Sequence, residues 1–337
     1  MTGPARPVFV VGSPRSGTTL LAGLMNLLPG VGISKETLFV PYLYERSVEA
    51  IGPANIGRLT SLVAAVNTYL GPAHWREPAT VDGVLAYWQE GGVPGYAGLV
   101  RYVWSLDGPT DGPTDGPTDG QAVAFPGDQT PTYVLALPLL ERLFPDAYYV
   151  HLVRDPRDVV ASVLPLRFGA KSAGVAASDW NEHIGAWLAA ERWLPVDRRH
   201  ELRYEDLVTD PVGALQALGA FIGVEAPDPL PAGGGGPGVG AFLAADPHGL
   251  AALDRHHRRL ARPIDDSSVG RHRQDLSPRN RELVESITYA GLVAYGYDVG
   301  DFRPSPVFRE DALGLTRDRM VDLGRRAIQS TSRRLKR

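Results

Sequence analysis

Short apolar runs alternate with amphipathic stretches along most of this chain, and that alternation predicts a mainly parallel sheet covered by helices. The runs that read as strands are Val8 to Val11, Ala122 to Phe125, Tyr148 to Val153 and Glu201 to Tyr204. The first is followed by a short polar loop and an apolar helical pattern from Thr18 to Leu28. Asn55 to Leu106 is rich in helical periodicity and carries aromatics at Tyr69, Trp75, Tyr87, Trp88, Tyr96, Tyr102 and Trp104. Arg279 to Tyr295 also reads as a helix, and Asp311 to Arg337 as a basic amphipathic stretch, a solvated terminal helix or a membrane or partner contact. Two segments break the pattern. Asp107 to Gly120 repeats Asp-Gly-Pro-Thr with no apolar residue to anchor it, and Ala232 to Gly240 is rich in glycine and proline. The expected organisation is one α/β domain over residues 1–300, with a helical insertion over 50–106 and a disordered repeat loop over 107–120. A C-terminal tail or helix over 301–337 completes it.

Composition narrows the classes. With 44% hydrophobic residues the chain has enough apolar material for a large core. It has no cysteine, which excludes disulfides, thiolate metal sites and a cysteine nucleophile, and fits a reducing compartment. No signal sequence and no spanning apolar run is evident, so a soluble, cytoplasmic protein without an integral membrane segment is expected. A net charge of −4 offers no global attraction to nucleic acid, so any polyanion must be bound at a local site. Only three of the 34 basic residues are lysine (Lys35, Lys171 and Lys336), which leaves few candidates for a catalytic lysine.

The most informative segment is Gly12-Ser-Pro-Arg-Ser-Gly17-Thr18-Thr19, between the first strand and the first helix. Glycines at both ends of such a loop let successive N–H groups and a helix N-terminus converge on an anion. The spacing is that of a phosphate-binding loop, except that Thr18 stands where a nucleotide hydrolase has lysine. That absence argues against triphosphate chemistry. Arg15 supplies the positive charge from within the loop, with a planar fork suited to phosphate or sulfate oxygens.

With this loop the chain resembles the sulfotransferases that use 3'-phosphoadenosine 5'-phosphosulfate (PAPS), in the arginine-bearing form of the tyrosylprotein sulfotransferases and their bacterial relatives. The resemblance implies a P-loop-like three-layer α/β fold, a central mainly parallel sheet flanked by helices. It also implies that Arg15, Ser16, Gly17, Thr18 and Thr19 hold the 5'-phosphosulfate. A second element supports it. Val150 to Ser162 opens as a strand and turns at Asp155-Pro156 into a helix, putting Arg154 at the carboxyl edge of a parallel strand, where open α/β sheets bind ligands. Arg154 and Ser162, eight residues apart, resemble the pair that holds the 3'-phosphate in that family. Tyr204, in Arg203-Tyr-Glu-Asp, resembles its nucleotide-contacting tyrosine, and Arg271, in Ser268-Val-Gly-Arg271-His-Arg273, its basic nucleotide loop.

Sulfuryl transfer needs a base for the acceptor hydroxyl. Glu36, in Ser34-Lys-Glu36-Thr37, is the expected general base, since the tyrosylprotein branch carries its glutamate in a similar Glu-Thr setting; His183 competes, because other branches use histidine. One departure stands out: relatives often carry a lysine where Gly127-Asp128-Gln129-Thr130-Pro131 has Gln129. Either Arg15, Lys35 or another arginine takes up that charge, or activity is low. PAPS is the expected co-substrate, with 3'-phosphoadenosine 5'-phosphate (PAP) as product and no metal. The expected partner is a small-molecule acceptor, an aromatic, lipid or glycolipid hydroxyl, and not nucleic acid. The aromatic helices over 55–106 are either a wall for that acceptor or simply the cover of a sheet face. A P-loop small-molecule kinase and a non-catalytic nucleotide-binding module are the alternatives.

Overall fold

A computed structural model describes residues 5–34, 36–44, 55–70, 78–106, 124–166, 169–227 and 264–303. The Asp-Gly-Pro-Thr repeat, the loop over 232–240, Lys35, Trp75 and the basic stretch from Asp311 lie outside the described residues. The chain divides into two compact units, Met1–Val153 with Trp187–Asp266, and Arg154–Ala186 with Ser267–Arg337.

The first unit holds the sheet. Its strands are β1 (Val8–Gly12), β2 (Val31–Ser34), β3 (Phe125–Asp128), β4 (Tyr148–Val153) and β5 (Arg199–Arg203), in the order β2-β3-β1-β4-β5. All four pairings are parallel. The sequence reading of a central parallel sheet with helices on its faces therefore holds. Helices α1 (Thr18–Met25), α2 (Phe39–Tyr44), α3 (Ile56–Leu70), α4 (Val81–Gln89), α5 (Tyr96–Leu106) and α6 (Leu137–Leu143) come before β4, and α9 (Tyr204–Thr209) and α10 (Pro211–Ile222) follow β5.

β1 is buried at all five positions, as a central strand covered on both faces must be, which is why it reads as an unbroken apolar run. Val8 and Val10 point to one face, into a cluster with Leu21 and Leu24 of α1 and Leu215 and Leu218 of α10. Phe9 points to the other, stacked on its β4 neighbour Tyr149 at 5.7 Å between ring centres and met edge-on by Trp104 of α5 at 5.6 Å. Trp104 thus helps cover the sheet.

Three boundaries differ from the expected ones, each for a local reason. α1 stops at Met25, because the Asn26 amide turns away to bridge β2, donating to Ile33 O at 2.9 Å and accepting from Ile33 N at 2.7 Å. The third strand runs on to Asp128 through Gly127, where a side chain would place its Cβ 2.0 Å from the Val8 carbonyl oxygen. That close approach needs glycine, a residue that otherwise signals a loop. β5 begins two residues early and hands Tyr204 to α9. It is a sheet edge, and its polar Arg199-His200 start gives no apolar signal.

The described residues of the second unit are mainly helical. α7 (Pro156–Val163), most of α8 (Ala173–Ala190), α11 (His272–Asp275) and α12 (Pro278–Ala294) pack around Val160, Ala161, Ala177, Leu276 and Val284. Gly291 lets α12 approach the Trp180 ring, which a Cβ would meet at 2.5 Å. Among the described residues no helix is long and apolar enough to cross a membrane.

Candidate active site

The loop after β1 leaves the C-terminal end of the central strand, the place where a parallel sheet presents its ligands. Its backbone is shaped for close curvature: Arg15 has φ 72° and Gly17 φ 102°, and Gly17 caps α1. Ser16 is fully buried, and its Oγ has no hydrogen-bond partner among the described residues. A buried hydroxyl left open in this way is costly unless a ligand engages it. Together with the N-terminus of α1 and the Arg15 guanidinium it suits an anion. Tyr204, the first residue of α9, lays its ring on the loop, so that a Cβ on Gly17 would sit 2.6 Å from Tyr204 Cδ2. The loop residues Arg15 to Thr19 and Tyr204 therefore come together.

Gln129 reaches the same loop from the end of β3. It is buried, its backbone N–H donates to Ser34 O at 3.0 Å, and its amide Nε2 donates to Thr18 Oγ1 at 3.1 Å. The position expected to hold lysine thus presents a neutral donor to the loop.

Glu36 follows β2. Its side chain is exposed to solvent, with protein around part of it. That surrounding raises its carboxyl above the ordinary range, and the nearby Arg15 charge opposes the rise. Glu36 in turn acts on the half-buried Tyr69 of α3, whose hydroxyl is raised by burial, by Tyr42 of α2 and by Glu36. The rings of Tyr42 and Tyr69 lie 5.0 Å apart. Glu36, Arg15 and an aromatic pair are therefore neighbours. Tyr42 carried no periodic or motif signal and was missed.

Below Glu36 lies a buried polar network that motif reading also missed. Asp128 is wholly buried and accepts from the hydroxyls of Thr37 and Thr130, the latter at 2.6 Å. Tyr133 adjoins Thr37 Oγ1 at 3.1 Å and receives the Val40 N–H at 3.1 Å. Burial, mainly, and the Glu36 charge push the Asp128 carboxyl up to about 7 against the pull of the threonine hydroxyls.

The remaining expected residues belong to the second unit. Arg154, buried, donates to Ser268 O at 2.6 Å, and its own carbonyl receives the Trp180 indole N–H at 3.1 Å. Asp155 caps α7, accepting from Arg157 N at 2.9 Å, and grips the Arg157 guanidinium at 2.7 Å. Ser162 stands in the last turn of α7, half-buried. The loop before α11 is tied down by buried Asp158, which accepts from Gly270 N at 2.7 Å, His272 N at 2.9 Å and His272 Nδ1 at 2.7 Å. Those bonds hold the Asp158 carboxyl below its ordinary range despite the cost of burial. Arg271 pairs with Asp275 at 2.6 Å. His183 is buried on α8.

Comparison with known proteins agrees with this architecture. The chain is 29% identical over 109 residues to the omega-hydroxy-beta-dihydromenaquinone-9 sulfotransferase Stf3 of Mycobacterium bovis, and the match covers 28% of each protein, so the chain spans well under a third of that relative. Its fold is similar to the sulfotransferase domain of the Synechococcus PCC 7002 olefin synthase, with TM-score 0.55 and 22% identity over 89% of this chain and 98% of that one. The sulfotransferase domain from the curacin biosynthetic pathway gives TM-score 0.54 and 18% identity over 89% and 100%. The model of the sulfotransferase family matches residues 7–228, from before β1 to beyond α10, and the chain belongs to that family.

Proposed function

We propose that this protein transfers a sulfuryl group from PAPS to a hydroxyl of a small apolar or aromatic acceptor, with Glu36 as general base. The observation that carries the reading is that the Arg15 charge acts on Glu36 beside an anion loop whose Ser16 hydroxyl is buried without a hydrogen-bond partner among the described residues. Among the loop's groups, Arg15, the Ser16 and Thr18 hydroxyls and the backbone N–H groups up to Thr19 hold the 5'-phosphosulfate. Arg154 and Ser162 are assigned to the 3'-phosphate, Tyr204 to the nucleotide beside the loop, and Arg271 to the basic loop that accompanies it.

In the reaction the acceptor oxygen attacks sulfur in line with the bond to the 5'-phosphate. The new O–S bond forms as that S–O bond breaks, the hydroxyl proton passes to a Glu36 carboxylate oxygen, and PAP leaves with the charge of the broken bond. Arg15 and the start of α1 meet that charge with preorganised positive dipoles. Gln129 contributes a hydrogen bond and no charge, so Arg15 carries more of the load than in a lysine-bearing relative. A raised carboxyl pKa suits Glu36, because a stronger base accepts a proton more readily.

Tyr42 and Tyr69, next to Glu36, favour an acceptor with an apolar or aromatic body. The mycobacterial relative is named for an omega-hydroxy-dihydromenaquinone, an acceptor of that kind. The test is mass-resolved transfer of sulfate from PAPS to a panel of phenols, long-chain alcohols and glycolipids, with Glu36→Gln as control. Sulfated product from the native chain and at least ~10²-fold less from the variant is the expected result. Full turnover by Glu36→Gln contradicts the base assignment, and no transfer to any hydroxyl contradicts the reaction.

A further inference from the structure

We infer that Asp128 is a positioning residue for sulfuryl transfer: its buried carboxylate gathers Thr37 and Thr130 and so fixes the strap that begins at Glu36. The inference rests on Glu36 acting as base and goes beyond it, because Asp128 has no place in the loop, the charge pair or the acceptor wall.

The direction of the hydrogen bonds carries the case. Backbone N–H groups can only donate. Val40 N–H donates to the Tyr133 hydroxyl at 3.1 Å, Thr37 N–H to Thr130 Oγ1 at 3.1 Å and Leu38 N–H to the same oxygen at 3.4 Å. Each of these hydroxyls, its oxygen occupied by an N–H, is left to donate onward. Tyr133 donates to Thr37 Oγ1, Thr37 to Asp128 Oδ2, and Thr130 to Asp128 Oδ1. Both chains of donors end on the two oxygens of one carboxylate. A protonated Asp128 would turn an O–H against one of these hydroxyls, which would then have to swing its own proton away from the carboxyl. With both hydroxyls donating to it, the network favours the ionised form.

What the network holds is strained. Leu38 has φ 59°, and it and Arg15 are the two non-glycine residues with positive φ among the described residues. Such a conformation costs of order 1–3 kcal/mol and persists only where surrounding contacts enforce it. Here they are the N–H bonds of Thr37 and Leu38 to Thr130, with Val40 anchored through its N–H to Tyr133 and through its carbonyl to the Tyr96 hydroxyl at 2.7 Å. Glu36 is the residue immediately before this fixed segment. The ionisable groups acting on Asp128 are Glu36, from the strap, and Tyr133, from the turn after β3; Tyr96 of α5 acts on Tyr133, and Arg15 on Glu36. With its carboxyl pushed up to about 7, Asp128 takes up a proton close to neutrality, so the strap loosens as pH falls.

The test uses the full chain and four variants: Asp128→Asn, Thr37→Val, Thr37→Ser and Glu36→Gln. Hydrogen exchange at pH 8 reads the amides of Thr37, Leu38 and Val40, calorimetry reads PAP binding, and sulfate transfer from PAPS to 2-naphthol or to water reads turnover from pH 5.5 to 9. Asp128→Asn and Thr37→Val are expected to exchange those amides at least ~10-fold faster and to lower kcat by a similar factor, while PAP affinity stays within about twofold. Thr37→Ser, which keeps the hydroxyl, is expected to behave as the native chain. On the acid side log kcat of the native chain is expected to fall by about one unit more than that of Asp128→Asn, the tenfold cost of protonating Asp128 added to that of protonating Glu36. Native protection and an unchanged acid limb in Asp128→Asn, or equal behaviour of Thr37→Val and Thr37→Ser, overturn the inference. Glu36→Gln separates the two readings: it keeps the amide protection, and if it also keeps full turnover the base assignment has failed while the exchange result for Asp128 still stands.

Discussion

The ring of Tyr204 lies directly over the α-carbon of Gly17, so close that a single added methyl would stand 2.6 Å from Cδ2 and 2.8 Å from Cε2. Gly17 is also the N-cap of α1 with φ 102°, a conformation that alanine adopts only under strain. Gly17→Ala is therefore expected to distort the anion loop and to weaken PAP binding at least ~10-fold, with a lower unfolding midpoint. Tyr204→Ala in the same chain removes the clash but not the backbone strain, so the double variant should recover part of the loss. Calorimetry on the two single variants and the double one checks this, and simple additivity would mean that ring and glycine do not interact.

In the proposed reaction Arg15 serves the loop anion, and its charge also acts on Glu36. Removing its charge in Arg15→Ala is expected to lower kcat at least ~10²-fold, the scale of a lost electrostatic contact to developing charge. It also carries a pH signature. Arg15 holds the Glu36 carboxyl down against burial, so in its absence Glu36 keeps its proton to higher pH. The acid limb of kcat, which falls as pH drops through that ionisation, should move to higher pH in Arg15→Ala. A limb that stays in place or moves down would show that Arg15 and Glu36 are not coupled.

Much of this was legible in the chain. Val8 to Val11 and, His151 apart, Tyr148 to Val153 are apolar on both faces because they are central strands, so their runs identify them. The loop from Gly12 to Thr19 has a spacing that physical chemistry alone reads as an anion site. What stayed hidden is what depends on neighbours distant in sequence. Gly127-Asp128 looks like a turn, and it is a strand only because β1 comes within contact of Gly127. Thr37 is an ordinary polar residue until the fold brings it within bonding distance of Asp128, 91 residues away, and of Tyr133, 96 residues away. Gln129 was visible as a departure, but its bond to Thr18, 111 residues away, was not.

Gln129 gives a test in the direction of gain. Lysine at this position keeps a donor for Thr18 Oγ1 and adds a charge where the proposed reaction places the sulfonate. Gln129→Lys is expected to raise kcat/KM by up to ~10-fold, and to lower the stability of the ligand-free protein because a buried ammonium lacks a full partner. Steady-state kinetics and urea unfolding with and without PAP report both effects. A fall in kcat/KM with PAP binding intact would show that the amide is the better group for this site.

Asp128 makes stability depend on pH in a defined direction. Its carboxyl is raised from an ordinary 3.8 to about 7, so between those values the folded chain holds a proton that the unfolded chain has released. Stability from this residue is then full below about pH 4, declines as pH rises through the window by at most about 1.4 kcal/mol per unit, and levels off above 7. Urea unfolding from pH 4 to 8 should show this component in the native chain and its loss in Asp128→Asn. The same slope in both would place the titration elsewhere.

The donor assignment is tested most directly by calorimetric titration of the native chain with PAP and with ATP. Binding of PAP at least ~10-fold tighter than ATP, and lost in Arg15→Ala, is the predicted result. Preference for ATP, or PAP binding untouched by the loss of Arg15, would contradict it.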